Sequence, residues 1–203
     1  MIVHQIASNL TYEWILKRHY AKRLPNIIYA FGLYEEGFLN GVCTFGMPAS
    51  PFLCKGVCGD EFSQDVIELN RLVLGSNKKN SASFFISKCL SLLPKPKIVI
   101  SYADTAMSHQ GYVYQACNFI YTGATAQRTD VDTGEKHARH IEGLDHSKRK
   151  IRSSKHRYIY FCGNKKQKRI YASALKYKHK PYPKGEIKYY EADEINEQQG
   201  LLI

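Results

Sequence analysis

Residues 97–102 (KIVISY) constrain the fold of this chain more than any other stretch. The apolar residues of this run do not alternate with charged ones, which is typical of a strand that is buried on both faces. Prolines at positions 94 and 96 precede the run and stop the helix that is predicted before it. A strand covered on both faces needs helices on either side of its sheet, and the chain is therefore predicted to be an α/β protein.

Further helices and strands are predicted from hydrophobic periodicity and from turn residues. The predicted helices are residues 12–20, 82–93 and 110–117, and the other predicted strands are residues 27–33, 39–45, 66–74, 119–127 and 158–162. This order indicates a mixed central sheet flanked by helices, in the α/β or α+β class. Residues 128–155 are predicted to be a mobile insertion, and residues 164–203 a C-terminal extension that is first basic and then acidic.

The net charge of +11 is concentrated in the second half of the chain. Lysines and arginines crowd residues 146–188, where the only acidic residue is Glu186. Charge of one sign at this density favours a polyanionic partner, most often nucleic acid, and the interspersed tyrosines could stack on bases. The alternative is a solubility tail or basic arm without a specific role. The predicted DNA-binding residues are Lys148, Arg149, Lys155, Arg157, Lys165 and Lys166.

Other classes of protein are disfavoured by the sequence. No apolar run approaches the length of about 20 residues that crosses a bilayer, and the first residues do not resemble a signal peptide. We therefore expect a soluble protein of the cytoplasm. Two of the six cysteines form the pattern CKGVC, but a zinc site usually needs a second pair or spaced histidines. The sequence does not determine whether the protein binds a metal.

Asp104 follows the buried strand directly, at the position where α/β enzymes often place catalytic groups. A carboxylate there could remove a proton from a substrate. It could equally cap the helix that follows, as aspartate commonly does. Position alone leaves both roles open.

Arg71 lies in the predicted strand 66–74 and needs an anionic partner. Glu68 is three residues away and is therefore predicted to lie on the opposite face of the strand. An anionic group of a bound donor would serve as the partner instead. Ser83, at the start of the next helix, could bind the same anion with nearby free N–H groups, or could simply cap the helix.

Several motifs resemble the phage Mom proteins: ELNRL, NSASFF, SYADTAMSHQGYVYQACNFIYTG and the pair His19-Tyr20. The order of elements also resembles the GNAT acyltransferase fold, and the resemblance covers roughly residues 19–123, with a weaker match at HRYIYF. It implies a GNAT-like catalytic domain over residues 1–163. It further implies a phage enzyme that converts adenine in DNA to N6-carbamoylmethyladenine and so protects the DNA from host restriction.

The resemblance also implies roles for individual residues. Asp104 would be the catalytic base and Tyr114 a candidate acid, while Arg71, Ser83 and Ser101 would hold the donor. The pair His19-Tyr20 would line the site, where it could hold adenine or ligate iron. The implied partner is double-stranded DNA with the target adenine flipped out of the stack, since N6 is hydrogen-bonded in the duplex.

The acyl donor is either acetyl-CoA or glycyl-tRNA. GNAT enzymes hold coenzyme A phosphates with a glycine-rich loop, whereas here the loop is GSNKKNSAS, with Lys78 and Lys79 as possible phosphate contacts. Glycylation of N6 would allow the glycyl amine to attack C6 through a five-membered ring and expel the amide nitrogen. That isomerisation gives the carbamoylmethyl group without a redox step, and it would make tRNA a second partner.

Two other functions remain open from the sequence. The chain could be a GNAT N-acyltransferase that acts on a protein or a small amine, or a DNA-binding protein without enzymatic activity. No membrane and no protein partner are expected.

Overall fold

The computed structural model describes residues 1–131 and 149–186. This part of the chain contains nine β-strands and four α-helices. In chain order they are β1 (Ile2–Gln5), β2 (Tyr29–Glu35), β3 (Phe38–Gly46), α1 (Pro51–Cys58), β4 (Val66–Leu74), α2 (Ser81–Leu92), β5 (Lys97–Asp104), α3 (Tyr112–Ala116), β6 (Ile120–Ala124), β7 (Arg128–Val131), β8 (Arg149–Arg152), β9 (Lys155–Cys162) and α4 (Lys165–Ala174).

Seven strands form one sheet in the order β1-β2-β3-β4-β5-β9-β6. Among the described strands, β4 and β5 are the one parallel pair, and all the other neighbours in this sheet run antiparallel. Helices cover both faces, so the predicted class, a mixed sheet flanked by helices, is confirmed. No helix in the described part of the chain is long and apolar enough to span a membrane.

Strand β5 is buried on both faces, as its sequence predicted. Ile98 and Ile100 pack with α1 and α4 on one face of the sheet. Val99 and Ala103 pack with α2 on the other face. The two clusters hold the strand from both sides, and its last residue, Asp104, lies where this double cover ends.

Strands β4 and β5 pair over only part of their length. Their parallel pairing ends at Leu69 and Ser101, although β4 continues along β3 to Leu74 and β5 continues along β9 to Asp104. The two strands therefore separate, and side chains of both line the opening between them. This opening positions the candidate site.

A β-bulge at Asn70 changes the side-chain alternation of β4. Leu69 pairs with Phe45 and Arg71 pairs with Thr44, which leaves Asn70 as the extra residue. Gly46 pairs with Glu68 and lies two positions along β3 from Thr44, so it is on the same face as Thr44. Glu68 and Arg71, the partners of these two residues, therefore also lie on one face of the sheet. The prediction that they lie on opposite faces is wrong because it assumed an uninterrupted strand.

The predicted helix over residues 12–20 is also different in the structure. The chain forms a 3₁₀ turn at Ser8–Thr11 and a five-residue π-helix at Trp14–Arg18, which ends at the extended backbone of His19. The side-chain spacing of the two helix types is similar, whereas their hydrogen bonds reach different residues. Hydrophobic spacing alone could not separate them.

The two ends of the predicted insertion form strands. Residues 128–131 and 149–152 pair with each other as β7 and β8, and residue 155 begins β9. Residues 132–148 of that insertion, and residues 187–203 with the acidic tail, lie outside the described residues. The beginning of the predicted extension packs on the domain, since Tyr171 of α4 is buried in the core.

Residues 175–186, which follow α4, form a strap along the edge strand β6. The backbone N–H of Lys180 donates to Tyr121 O over 2.9 Å. The Tyr182 hydroxyl donates to Phe119 O over 2.7 Å. The Tyr112 hydroxyl on α3 donates to Gly185 O over 2.6 Å and accepts from Gly185 N over 3.0 Å. These bonds fasten the strap across the end of the sheet.

Candidate active site

The cleft between β4 and β5 is large, with a volume of about 3580 Å³. Pockets for small ligands usually have volumes of about 300–1,000 Å³, so this cleft has room for more than one small molecule. Its polar lining includes His19, Tyr20, Glu68, Arg71, Asp104 and His109. These residues come from three separate parts of the chain, and the separation of the two strands brings them together.

His19 and Tyr20 lie side by side in the cleft, with ring centroids 4.4 Å apart. The Nδ1 atom of His19 accepts a hydrogen bond from Ala21 N over 3.0 Å. Burial, aided by the nearby positive charge of Arg71, lowers the pKa of His19 to about 3. His19 is therefore neutral at pH 7 and carries its proton on Nε2. Tyr20 also contacts His109 edge-on, at 5.6 Å between centroids.

Asp104 is held by three hydrogen-bond donors. Its carboxylate accepts from Ala106 N over 3.0 Å, from Ser153 Oγ over 2.5 Å and from Lys155 Nζ over 2.5 Å. Burial alone would raise the pKa of Asp104, but the hydrogen bonds from Lys155 and Ser153 outweigh it and lower the pKa. Asp104 also caps the 3₁₀ turn that follows β5, which was the alternative role left open by the sequence.

Glu68 lines the same cleft but has a different environment. Within residues 1–131 and 149–186 it forms no hydrogen bond and no ion pair within 4 Å. Burial raises its pKa to about 7, against the opposing charges of Arg71, Lys155 and Arg152. Sequence reasoning missed Glu68 as a functional candidate. An acidic residue within a buried strand was the available signal, but the bulge that turns it toward the cleft depends on pairing with β3.

Arg71 is fixed in the cleft by backbone carbonyls. It donates to Asn70 O over 2.6 Å and to Arg23 O over 3.0 Å. Its Nε atom is buried and has no hydrogen-bond partner in the described part of the chain. Burial lowers the pKa of the guanidinium, and the nearby Tyr20 and Glu68 oppose this change. Arg71 therefore remains a candidate for binding an anion, as the sequence predicted.

Ser101 is buried beneath the floor of the cleft, whereas Tyr114 is half-buried and lines it. The Ser101 hydroxyl is fully buried and donates to Leu69 O over 2.9 Å, at the last paired position of β4 and β5. The Tyr114 ring packs against Phe119 and Tyr158, with centroids 5.4 and 5.2 Å away. Burial raises the pKa of Tyr114, and a hydrogen bond with Ser101 opposes this. Ser101 thus supports the cleft from behind.

The remaining predicted residues are distributed unevenly. Lys155 and Arg157 line the cleft, whereas Ser83, Lys165 and Lys166 are absent from its lining within the described residues. The Ser83 hydroxyl donates to Asn80 O over 3.1 Å, as in an ordinary first turn of a helix. Lys165 and Lys166 begin α4 and are exposed to solvent. Arg149 lies in β8, and Lys148 falls outside the described residues.

The ligand set for a metal does not form in the described part of the chain. Over residues 1–131 and 149–186 there is no group of three or more His, Cys, Asp or Glu side chains that could hold an ion. The residues around His19 and Tyr20 therefore do not fit the predicted iron, and no chemical step is assigned to it.

These features define a class of protein: a mixed α/β domain whose open sheet end carries acid–base side chains surrounded by basic residues. A model described as the Mom protein family matches residues 1–184. The chain belongs to the Mom protein family.

One curated relative is the methylcarbamoylase Mom of Escherichia phage Mu. It is 27% identical over 202 residues, which cover 90% of this chain and 83% of the relative.

Solved structures with a similar fold include three proteins that are named as acetyltransferases. A probable acetyltransferase from Staphylococcus epidermidis has a TM-score of 0.47 at 12% identity, covering 80% of this chain and 99% of the other. The polyamine N-acetyltransferase of Drosophila melanogaster has a TM-score of 0.45 at 12% identity, covering 79% and 99%. A GNAT-family acetyltransferase from Bacillus cereus has a TM-score of 0.44 at 13% identity, covering 80% and 98%.

Proposed function

We propose that this protein is a phage DNA modification transferase that converts adenine to N6-carbamoylmethyladenine and thereby protects the DNA from restriction in the host cytoplasm. The observation that carries this proposal is the half-buried carboxylate of Glu68, which has no hydrogen-bond donor among the described residues and lies in a cleft lined by basic side chains. The relative from phage Mu, named as a methylcarbamoylase, supports the same reaction class.

The chemistry requires a base because the lone pair of the adenine N6 amine is delocalised into the ring. The sequence assigned this role to Asp104. Its three hydrogen bonds and lowered pKa make Asp104 a weak base and suit it to positioning Lys155. No hydrogen bond contributes to the pKa of Glu68 among the described residues, and that pKa, about 7, matches a general base that works near neutral pH.

In the proposed first step N6 attacks the carbonyl carbon of the acyl donor. The N6–C bond forms, the N6 proton passes to the Glu68 carboxylate, and the bond to the leaving group breaks, with its electron pair leaving on that group. Tyr114 remains the candidate acid for the leaving group, since it lines the cleft and carries its proton at neutral pH. Arg71 would neutralise the anionic part of the donor.

The target base would be flipped into the cleft, at a cost of a few kcal/mol for unstacking. The paired rings of His19 and Tyr20 offer a surface for it to stack on, and neutral His19 offers an Nε2–H donor. Phosphate contacts by basic residues of the cleft, such as Arg157, would offset the unstacking.

Glycyl-tRNA is the donor we propose, with acetyl-CoA as the alternative. Lys78, one of the two lysines predicted to attract coenzyme A phosphates, is engaged instead with Glu35, at 2.9 Å. After glycylation, the glycyl amine attacks adenine C6 and the former N6 leaves as the amide nitrogen. All atoms of the glycyl group and of adenine are retained, so the product is an isomer of glycyl-adenine.

Mass spectrometry of nucleosides from plasmid DNA tests the reaction. DNA co-expressed with the wild type should contain deoxyadenosine that is heavier by one carbamoylmethyl group. DNA co-expressed with Glu68→Gln should lack it, while Glu61→Gln, an exposed carboxylate outside the cleft, should behave as the wild type. Unmodified DNA from a well-folded wild type would contradict the proposal and favour a general acyltransferase or a DNA-coating protein.

The donor is tested with purified protein, duplex DNA and either glycyl-tRNA or acetyl-CoA. Isotope from labelled glycine should appear in the modified nucleoside. Modification with acetyl-CoA alone, and none with glycyl-tRNA, would refute the proposed donor while leaving the DNA target intact.

A further inference from the structure

Strands β7 and β8 form a two-stranded ribbon apart from the main sheet. They pair antiparallel, with Arg128 opposite Arg152 and Val131 opposite Arg149. A two-stranded ribbon alone is marginally stable in water, so it usually packs against something else. The residues on its two faces therefore indicate what it contacts.

Both faces of the ribbon are open to solvent. Arg128 and Thr129 are consecutive and both exposed, as are Ile151 and Arg152, and Ile151 is 70% exposed. Consecutive residues of a strand point to opposite faces, so neither face of the ribbon packs fully on the domain. An exposed isoleucine among arginines indicates a surface that contacts another molecule.

The charge of the ribbon identifies the kind of molecule. By sequence its two strands hold four basic residues and one acidic residue, Asp130. Arg149 donates to Thr129 O over 3.2 Å, and this bond keeps its guanidinium along the ribbon. Dense positive charge on an exposed element favours a polyanion.

The ribbon is continuous with the candidate active site. Arg128 and Arg152 line the cleft as well as belonging to the ribbon. The chain leaving β8 supplies Ser153 and Lys155, which hold the Asp104 carboxylate. A polyanion bound along the ribbon would therefore lie next to the cleft.

We propose that the β7–β8 ribbon binds in the major groove of duplex DNA beside the target adenine. This inference rests on the proposed function, because it takes adenine N6 as the target. N6 lies on the major-groove edge of the base pair, and that groove, about 12 Å wide, admits a two-stranded ribbon. The two strands of such a ribbon lie about 4.8 Å apart, which leaves room for side chains on either side.

DNA affinity measured by fluorescence anisotropy over a range of salt concentrations tests the ribbon directly, without any acyl donor. Arg128→Gln and Arg149→Gln should each lower the salt slope by about one and weaken binding about fivefold to tenfold at 0.1 M salt. Lys165→Gln and Lys166→Gln serve as controls, because they remove the same charge from α4, the other surface that the sequence predicted to bind DNA. They should change the DNA affinity and the salt slope much less. Methyl green, a major-groove ligand, should compete with the protein better than netropsin, a minor-groove ligand.

Wild-type affinity and slope in both ribbon variants, with losses in the α4 variants, would overturn the inference. So would unchanged duplex binding with weakened tRNA binding, which would assign the ribbon to tRNA. Thermal melting of each variant separates lost contacts from lost folding. If the ribbon variants lose DNA affinity but the wild type modifies no adenine, the proposed function fails and the DNA-binding ribbon stands.

Discussion

Replacing Glu68 by glutamine should lower activity and raise stability at the same time. The change keeps the shape of the side chain and removes its ionisable proton. General bases contribute about 10²–10⁴-fold to rates, so Glu68→Gln should slow adenine modification by that factor. The rate of the wild type should rise with pH through about 7, where Glu68 loses its proton.

The effect on stability follows from the raised pKa of Glu68. The folded protein holds the Glu68 proton more tightly than the unfolded chain does. This contribution to the free energy of unfolding is fully present below about pH 4.5, the ordinary pKa of glutamate, and is lost as the pH rises through about 7. A rise from 4.5 to about 7 corresponds to about 3 kcal/mol of unfolding free energy at most. Glutamine avoids this loss, so the variant should be about 1–3 kcal/mol more stable than the wild type at pH 8, and nearly equal to it at pH 4.5.

Urea unfolding from pH 4.5 to pH 8, together with nucleoside mass spectrometry, checks both effects on the same samples. Glu61→Gln serves as the matched control and should change neither. A Glu68→Gln protein that is less stable than the wild type at pH 8 would show a structural role for Glu68. Activity within threefold of the wild type would refute its role as the base.

Three further results are expected. Asp104→Asn should lower the unfolding free energy at pH 7 by about 1–3 kcal/mol, because Lys155 loses its carboxylate; urea unfolding should show that this difference fades as the pH falls toward the lowered pKa of Asp104. His19 should show no NMR titration of its ring protons above pH 5, and a midpoint near its ordinary 6.5 would contradict its burial. Tyr112→Phe should lower the unfolding free energy by about 1 kcal/mol through lost bonds to Gly185 while adenine modification continues; a loss of modification in a folded variant would instead place the strap in the catalytic machinery.

The β2–β3 hairpin and the buried strand β5 were predictable because the local sequence determines them. Glu36 and Gly37, which join β2 to β3, both have positive φ angles, of 53° and 88°. A two-residue turn of this type suits the twist of the strands on either side. The buried strand likewise carries its own signal in apolar residues that suit both faces. Neither feature depends on contacts with distant parts of the chain.

The bulge at Asn70 was not predictable, because it depends on how β4 pairs with β3. The Thr44 hydroxyl donates to Asn70 Oδ1 over 2.6 Å, and Asn70 Nδ2 donates to Asn26 O over 2.8 Å. The first bond spans 26 positions of the sequence and the second spans 44, so no local pattern reveals them. The same bulge brings Glu68 to the face of Arg71, so the missed fold detail and the missed candidate residue have one cause.

The two carboxylates of the cleft have environments that the sequence alone did not reveal. Asp104 occupies the position at the end of a buried strand that sequence reasoning expects for a catalytic group, yet three donors satisfy it. Glu68 occupies an ordinary strand position, yet it is half-buried and has no hydrogen-bond donor in the described part of the chain. Environments that push the pKa values of two nearby acids apart separate their roles. The acid with the lowered pKa holds Lys155 in place, and the acid with the raised pKa can exchange a proton near neutral pH.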